Sequence, residues 1–90
     1  MNKSQLVESV AEQTQLVKSH IEEVLNSALD LIKKSVKKGE DVTLVGFGTF
    51  TKSKRKARMG RNPQTGKEMK IPAMTVPRFR AGKEFKDVVR

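Results

Sequence analysis

Residues 51–58, TKSKRKAR, offer no face that a protein core could take. In a strand, alternate side chains share a face. That rule groups Lys52, Lys54, Lys56 and Arg58 on one side and Thr51, Ser53, Arg55 and Ala57 on the other. The return stretch KEMKIPAMTVP, 67–77, carries Pro72 in its middle, and a residue without an N–H needs a strand edge there. Between the two lies GRNPQTGK, Gly60 to Lys67, where Asn-Pro and Thr-Gly signal a turn. Residues of roughly 52–76 therefore read as a projecting polar hairpin, marginal by itself in water. Setting it aside leaves about 65 of the 90 residues to build a core, which is thin. The chain has no cysteine and one histidine, so neither a disulfide nor a His/Cys zinc site can reinforce it. Dimerisation is the simplest remedy.

The first third reads as two helices. Asn2 and Gln5 have capping-box spacing, and Leu6, Val7, Val10 and Ala11 follow at helical intervals. A break falls near Thr14–Lys18. The second start is open between Thr14 as a cap and a box formed by Ser19 with Glu22. Ile21, Val24, Leu25, Ala28, Ile32 and Val36 mark its apolar face, widened by Leu29 and Leu31. A helix apolar over so much of its circumference needs cover from elsewhere. Lys33, Lys34, Lys37 and Lys38 suit its C-terminal dipole, and Gly39 is a natural stop. VTLV, 42–45, then reads as a strand, GFGTF, 46–50, as a tight turn, and Phe50 as the start of a second strand. Phe85, Val88 and Val89 predict a short C-terminal helix after Gly82. Lys83 near its first turn is either a tolerated surface lysine or a partner for a bound phosphate.

Charge divides the chain. Residues 1–41 hold six lysines and seven acids, a net of −1; residues 42–90 hold thirteen Lys/Arg and three acids, a net of +10. Such segregation points to a polyanionic partner, nucleic acid above all. All four phenylalanines (47, 50, 79 and 85) lie outside the ribbon, so it lacks the aromatic platforms of single-strand binders. Duplex backbone and groove contacts fit better; structured RNA is the alternative polyanion. GRNPQTGK fails as a phosphate loop, because five residues separate Gly60 from Gly66 and Glu68 follows Lys67. No catalytic constellation is present, no metal or other cofactor is expected, and the chain does not read as an enzyme. With no 18-residue apolar run, no signal-peptide core and no amphipathic helix carrying the positive charge, it reads as soluble and off the membrane. Pro63 at the hairpin tip is either a plain turn residue or a rigid apolar wedge.

GFGTF, then Arg55 after four residues, then Arg58, Gly60 and NPQT resemble the signature of the bacterial histone-like DNA-binding proteins. HU and integration host factor belong to that family. The resemblance extends over LVGFGTF, GRNPQTGKE and VPRFRAGKEFKD, and LVGFGTF with RFRAGK is more similar to HU. It implies an α+β fold in an intertwined dimer: two N-terminal helices, a three-stranded antiparallel sheet extended into a β-ribbon arm, and a short C-terminal helix. Residues 1–40 would be the helical dimerisation base, 41–82 the sheet with its arm at about 52–76, and 83–90 the last helix. Leu25, Leu29, Ile32, Val36, Leu44, Phe47, Phe50 and Phe79 would form the dimer core. Pro63 would intercalate in the minor groove, with Arg55, Arg58, Arg61 and Asn62 as groove and phosphate contacts. Lys52, Lys54, Lys56, Lys67, Lys70 and Arg80 would extend that surface, and Lys83, Lys86, Lys3 and Lys18 would hold flanking DNA. The expected partners are double-stranded DNA, preferably nicked, gapped, bent or junction DNA, and a second copy or a paralogue. The expected location is the cytoplasmic nucleoid. One departure from the family pattern is Val17, where a small hydroxyl cap is usual at the second helix start.

Overall fold

The computed structural model describes residues 1–90 in two units, Met1–Lys34 and Ser35–Arg90. In the first unit, α1 spans Lys3–Thr14. The expected capping box is present: Gln5 N–H donates to Asn2 Oδ1 at 2.9 Å and Asn2 N–H donates to Gln5 Oε1 at 3.0 Å. Gln15 ends the helix with φ 62°, and its N–H donates to Ala11 O at 2.8 Å. The second helix, α2, spans Lys18–Lys38. Neither expected cap serves it. The Thr14 hydroxyl donates back to Val10 O at 2.6 Å, and Ser19 lies inside the helix. The helix opens instead on the Val17 carbonyl, which accepts from His20 and Ile21 N–H, each at 3.1 Å. Val7 is the one buried hydrophobic residue of the whole chain. Between the helices lies an open apolar groove of about 490 Å³, lined by Leu6, Val10, Leu16, Ile21, Val24 and Leu25 among others.

The second unit begins with the last turn of α2. Gly39, at φ 95°, takes the left-handed conformation that stops the helix, and Glu40 N–H donates back to Ser35 O at 3.0 Å. Strands β1 (Val42–Leu44), β2 (Gly48–Arg55) and β5 (Met74–Ala81) form an antiparallel sheet in the order β1-β2-β5. β2 starts at Gly48, two residues before the expected Phe50. The return strand runs past the expected Pro77 to Ala81. The turn before β2 closes through Phe47 N–H to Leu44 O at 2.9 Å, with Gly46 at φ 86°. Register pairs Val42 with Phe50 and Phe50 with Phe79, so these share a face with Leu44, Gly48 and Ala81. Helix α3, Lys83–Val89, adds Phe85. The four rings form a cluster: Phe50–Phe79 centroids are 4.9 Å apart, Phe47–Phe85 5.1 Å and Phe47–Phe79 5.2 Å. Gly48 makes this possible. A Cβ there would meet the Phe79 ring at 2.5 Å and the Arg80 carbonyl oxygen at 2.7 Å.

Beyond Phe50, β2 pairs only with β5, and the ribbon begins. It is not continuous. The ladder stops at Arg55–Met74 and resumes at Arg58–Ile71, where β3 (Arg58–Arg61) pairs with β4 (Glu68–Ile71). Two residues lie between the two pairs on each strand, so neither strand carries an extra residue. The same offset sets Ala57 opposite Pro72. Gly82 N–H donates to Phe47 O at 2.8 Å, which puts the hydrogen-bonded positions of β2 on odd residues. Pro77, opposite Lys52, therefore sits at a non-bonded position and is tolerated. Pro72 falls at a bonded position, where the missing N–H breaks the ladder. Past the gap, Asn62 N–H donates to Lys67 O at 2.9 Å, so the bonded positions are now even. The ladder has shifted phase, and the alternation expected to put Lys52, Lys54, Lys56 and Arg58 on one face does not carry through.

Gly48→Ala is expected to cost about 1–3 kcal/mol, because the obstructing atoms include backbone as well as the ring. A thermal melt followed by circular dichroism checks this; an unchanged midpoint would mean that Phe79 can move aside freely.

Candidate nucleic-acid interface

Opposite the phenylalanine face, the sheet is polar. Thr43, Thr49 and Arg80 form one row across it, Thr51 and Arg78 the next, Ser53 and Val76 the next, then Arg55 and Met74. The Thr43 and Thr49 hydroxyls are 3.3 Å apart, and Thr51 donates to Asp41 Oδ1 at 2.6 Å. Arg78 Nε donates to the Ser53 hydroxyl oxygen. Arg55 and Arg80 were expected in the interface, and the register brings them to this one face. Arg78 was not among the expected residues, although the two-residue spacing in RFR, 78–80, pairs it with Arg80.

Lys52 and Lys54 lie on the other face, in line with Phe50 and Phe79. Lys52 Nζ donates to Lys37 O at 2.9 Å in the last turn of α2. Its ammonium thus satisfies a carbonyl that the helix leaves unpaired, at the end where the dipole favours a cation. Lys52 was expected among the DNA contacts; it is exposed, and this bond engages one of its three ammonium donors.

The ribbon gap is bordered by cations. Arg55, Lys56 and Arg58 line a cleft of about 350 Å³ floored by Ile71, Pro72 and Met74. Further out, Arg61 faces Glu68 in the register without forming an ion pair, and Lys67 and Lys70 are exposed. In the second unit the sole ion pair is Arg90–Asp87, at 3.8 Å. The other cations of this unit therefore lack an acid partner, and their mutual repulsion favours a polyanion. Lys83 and Lys86 are exposed on α3, where Glu84 in the first turn offsets the lysine at the helix start. In the first unit Lys3 is exposed, and Lys18 pairs with Glu8 at 3.6 Å.

At the ribbon tip, Asn62 Oδ1 accepts from Gln64 N–H at 2.8 Å and from Thr65 N–H at 3.4 Å. Gly66 N–H donates to Asn62 O at 2.8 Å, and Lys67 N–H donates to Thr65 Oγ1 at 3.3 Å. Gly66 holds φ 71° with nothing within 4 Å of an added Cβ, so its conformation and not crowding demands glycine. These bonds tie the apex backbone together around the exposed Pro63. Asn62 was expected at a groove contact; its Oδ1 and its backbone carbonyl oxygen both serve this turn, and its side-chain amide nitrogen has no partner in the chain.

A basic ribbon with a locked tip, rising from a sheet that is apolar on one face and arginine-bearing on the other, defines a β-ribbon nucleic-acid-binding protein. The chain belongs to the bacterial DNA-binding protein family, whose sequence pattern matches residues 1–90. It is 49% identical to the DNA-binding protein HU-1 of Halalkalibacterium halodurans, each chain covered in full. It is 52% identical to HU-beta of Serratia marcescens, with 99% of each covered. The HU chain of an Anabaena HU–DNA cocrystal superposes with a TM-score of 0.94 at 50% identity, covering 99% of this chain and 97% of that one. HU from Thermotoga maritima gives 0.71 at 28% identity over the full length of both. These are DNA-binding proteins, not enzymes, and this chain is one of them. No helix is long and apolar enough to cross a membrane.

Asn62→Ala removes the acceptor for two tip amides. Backbone order parameters at Gln64 and Thr65 are expected to fall below those of β2, at a stability cost of about 1 kcal/mol or less for so exposed a turn. Unchanged order parameters would show that Pro63 and Gly66 hold the tip by themselves.

Proposed function

We propose that this protein is a dimeric architectural DNA-binding protein of the nucleoid that grips the minor groove with its ribbon and bends the duplex by inserting Pro63. The observation that carries the reading is the locked apex: a rigid apolar ring at the end of an arm whose cations lack acid partners. Lysine and arginine displace counterions from any duplex, which gives affinity without sequence choice. Arginine also suits a narrow, electronegative groove. Arg55, Arg58 and Arg61, with Lys54, Lys56, Lys67 and Lys70, line the arm for this role; Arg80, Lys83, Lys86 and Lys3 extend it. Inserting the ring costs a few kcal/mol per unstacked step, offset by the extra surface a bent duplex brings into contact. Nicked, gapped or junction DNA is already easier to deform and is preferred on that ground.

Dimerisation rests on surface. The chain leaves 7992 Å² accessible, whereas a folded monomer of 10.1 kDa has about 5,300 Å². Much of the excess is apolar: Phe47 and Phe79 are each 43% exposed, Val24 68% and Leu31 62%. Leu29 and Leu44 are exposed, and Leu25, Ile32, Val36 and Phe50 are half-buried. An obligate interface of 2,000 Å² or more, the usual size for such dimers, accounts for it. Native mass measurement is expected to give twice the chain mass; a monomer at micromolar concentration would sink the dimer.

Pro63→Ala is expected to keep salt-dependent duplex binding while reducing the bend measured by fluorescence transfer between the DNA ends. Nicked duplex should bind more tightly than intact duplex at every salt concentration. An unaltered bend angle, or equal affinity for the two DNAs, would remove the wedge from the mechanism.

A further inference from the structure

Arg78 is the one arginine of the sheet whose side chain is held in place. Its Nε donates to the Ser53 hydroxyl, two residues along the facing strand from Thr51, with which Arg78 itself pairs. Ser53 is half-buried and Arg78 exposed. Asp41, the acid beside Thr51, has its Oδ1 engaged by the Thr51 hydroxyl at 2.6 Å. No carboxylate lies within ion-pair distance of the guanidinium. Of five N–H donors on that group, Ser53 engages one and leaves the rest directed to solvent. Arg80 stands two residues along the same strand face, about 6.7 Å away by strand rise, and the threonines beside it contribute hydroxyls but no negative charge.

We propose that Arg78 is a DNA-backbone contact on the open face of the sheet and that Ser53 is its positioning residue. This rests on the duplex-binding reading above. A guanidinium on a flexible stem loses rotamer freedom when it meets a phosphate. Ser53 imposes that ordering before the DNA arrives. The contact continues the arm's cationic surface down to the sheet, so the backbone is held next to the base of the ribbon as well as along it.

The test measures full-length wild type, Arg78→Ala, Ser53→Ala, Ser53→Thr and the Arg78→Ala/Ser53→Ala double variant on one intact duplex, by fluorescence anisotropy across a salt series. Thermal melts confirm that each variant is folded. Arg78→Ala is expected to weaken binding and to flatten the plot of log affinity against log salt by about one unit, the loss of one phosphate contact. Ser53→Ala should weaken binding roughly two- to tenfold, the range of one hydrogen bond, with the slope retained because the charge remains. Ser53→Thr should restore the affinity. In the Arg78→Ala background, Ser53→Ala should change nothing further. A wild-type slope and affinity in Arg78→Ala would overturn the contact. An equal loss from Ser53→Ala in both backgrounds would overturn the positioning role. Wild-type protein that bound duplex without salt dependence would instead remove the architectural reading on which this rests.

Discussion

Phe79 lies directly over Gly48, and the second unit is organised around that approach. A side chain at position 48 would meet the Phe79 ring and the Arg80 carbonyl, so the 4.9 Å approach of Phe50 and Phe79 could not be kept without a shift. Phe47 reaches the same cluster from the turn, because Gly46 turns the chain at φ 86°. Phe85 stacks on it and anchors α3, so the lysines of that short helix are positioned by an aromatic contact and not by the helix's own stability. The cluster remains half open to solvent. One protomer assembles the apolar surface but does not finish burying it.

The opposite face follows from the same pairing. Strand alternation that aims Phe50 and Phe79 inward must aim Thr49, Thr51, Arg78 and Arg80 outward. A sheet of so few residues thus carries aromatic rings on one side and guanidinium and hydroxyl groups on the other. Lys52 falls on the aromatic side, and its charge is used at the end of α2.

The ribbon depends on two prolines that do opposite things. Pro77 lies where the ladder makes no bond and leaves it intact; Pro72 lies where a bond is due and breaks it. The break leaves a cationic cleft bordered by Arg55, Lys56 and Arg58 and resets the alternation beyond it. At the tip, a third proline is held by the bonds of its neighbour Asn62. The ribbon thus joins a hydrogen-bonded tip to an interrupted ladder.

That residues of roughly 52–76 could not enter a core, that two helices precede them, and that the positive charge lies in the second half can all be read from the order of residues alone. These follow from periodicity, capping spacing and composition, which are local properties. The Asn2–Gln5 box and the Gly39 stop were legible for the same reason. The family signature made the DNA-binding character readable from GFGTF and GRNPQTG. The folded chain alone settles which side of the ladder each proline meets, because bonding phase is set by the partner strand and not by the strand's own residues. It likewise decided that Lys52 turns to α2, that Val17 and not a hydroxyl opens that helix, and that Arg78 is held by a serine 25 positions away. Contacts between residues distant in sequence exist only once the register is fixed, and the register here is fixed by where Phe79 meets Gly48.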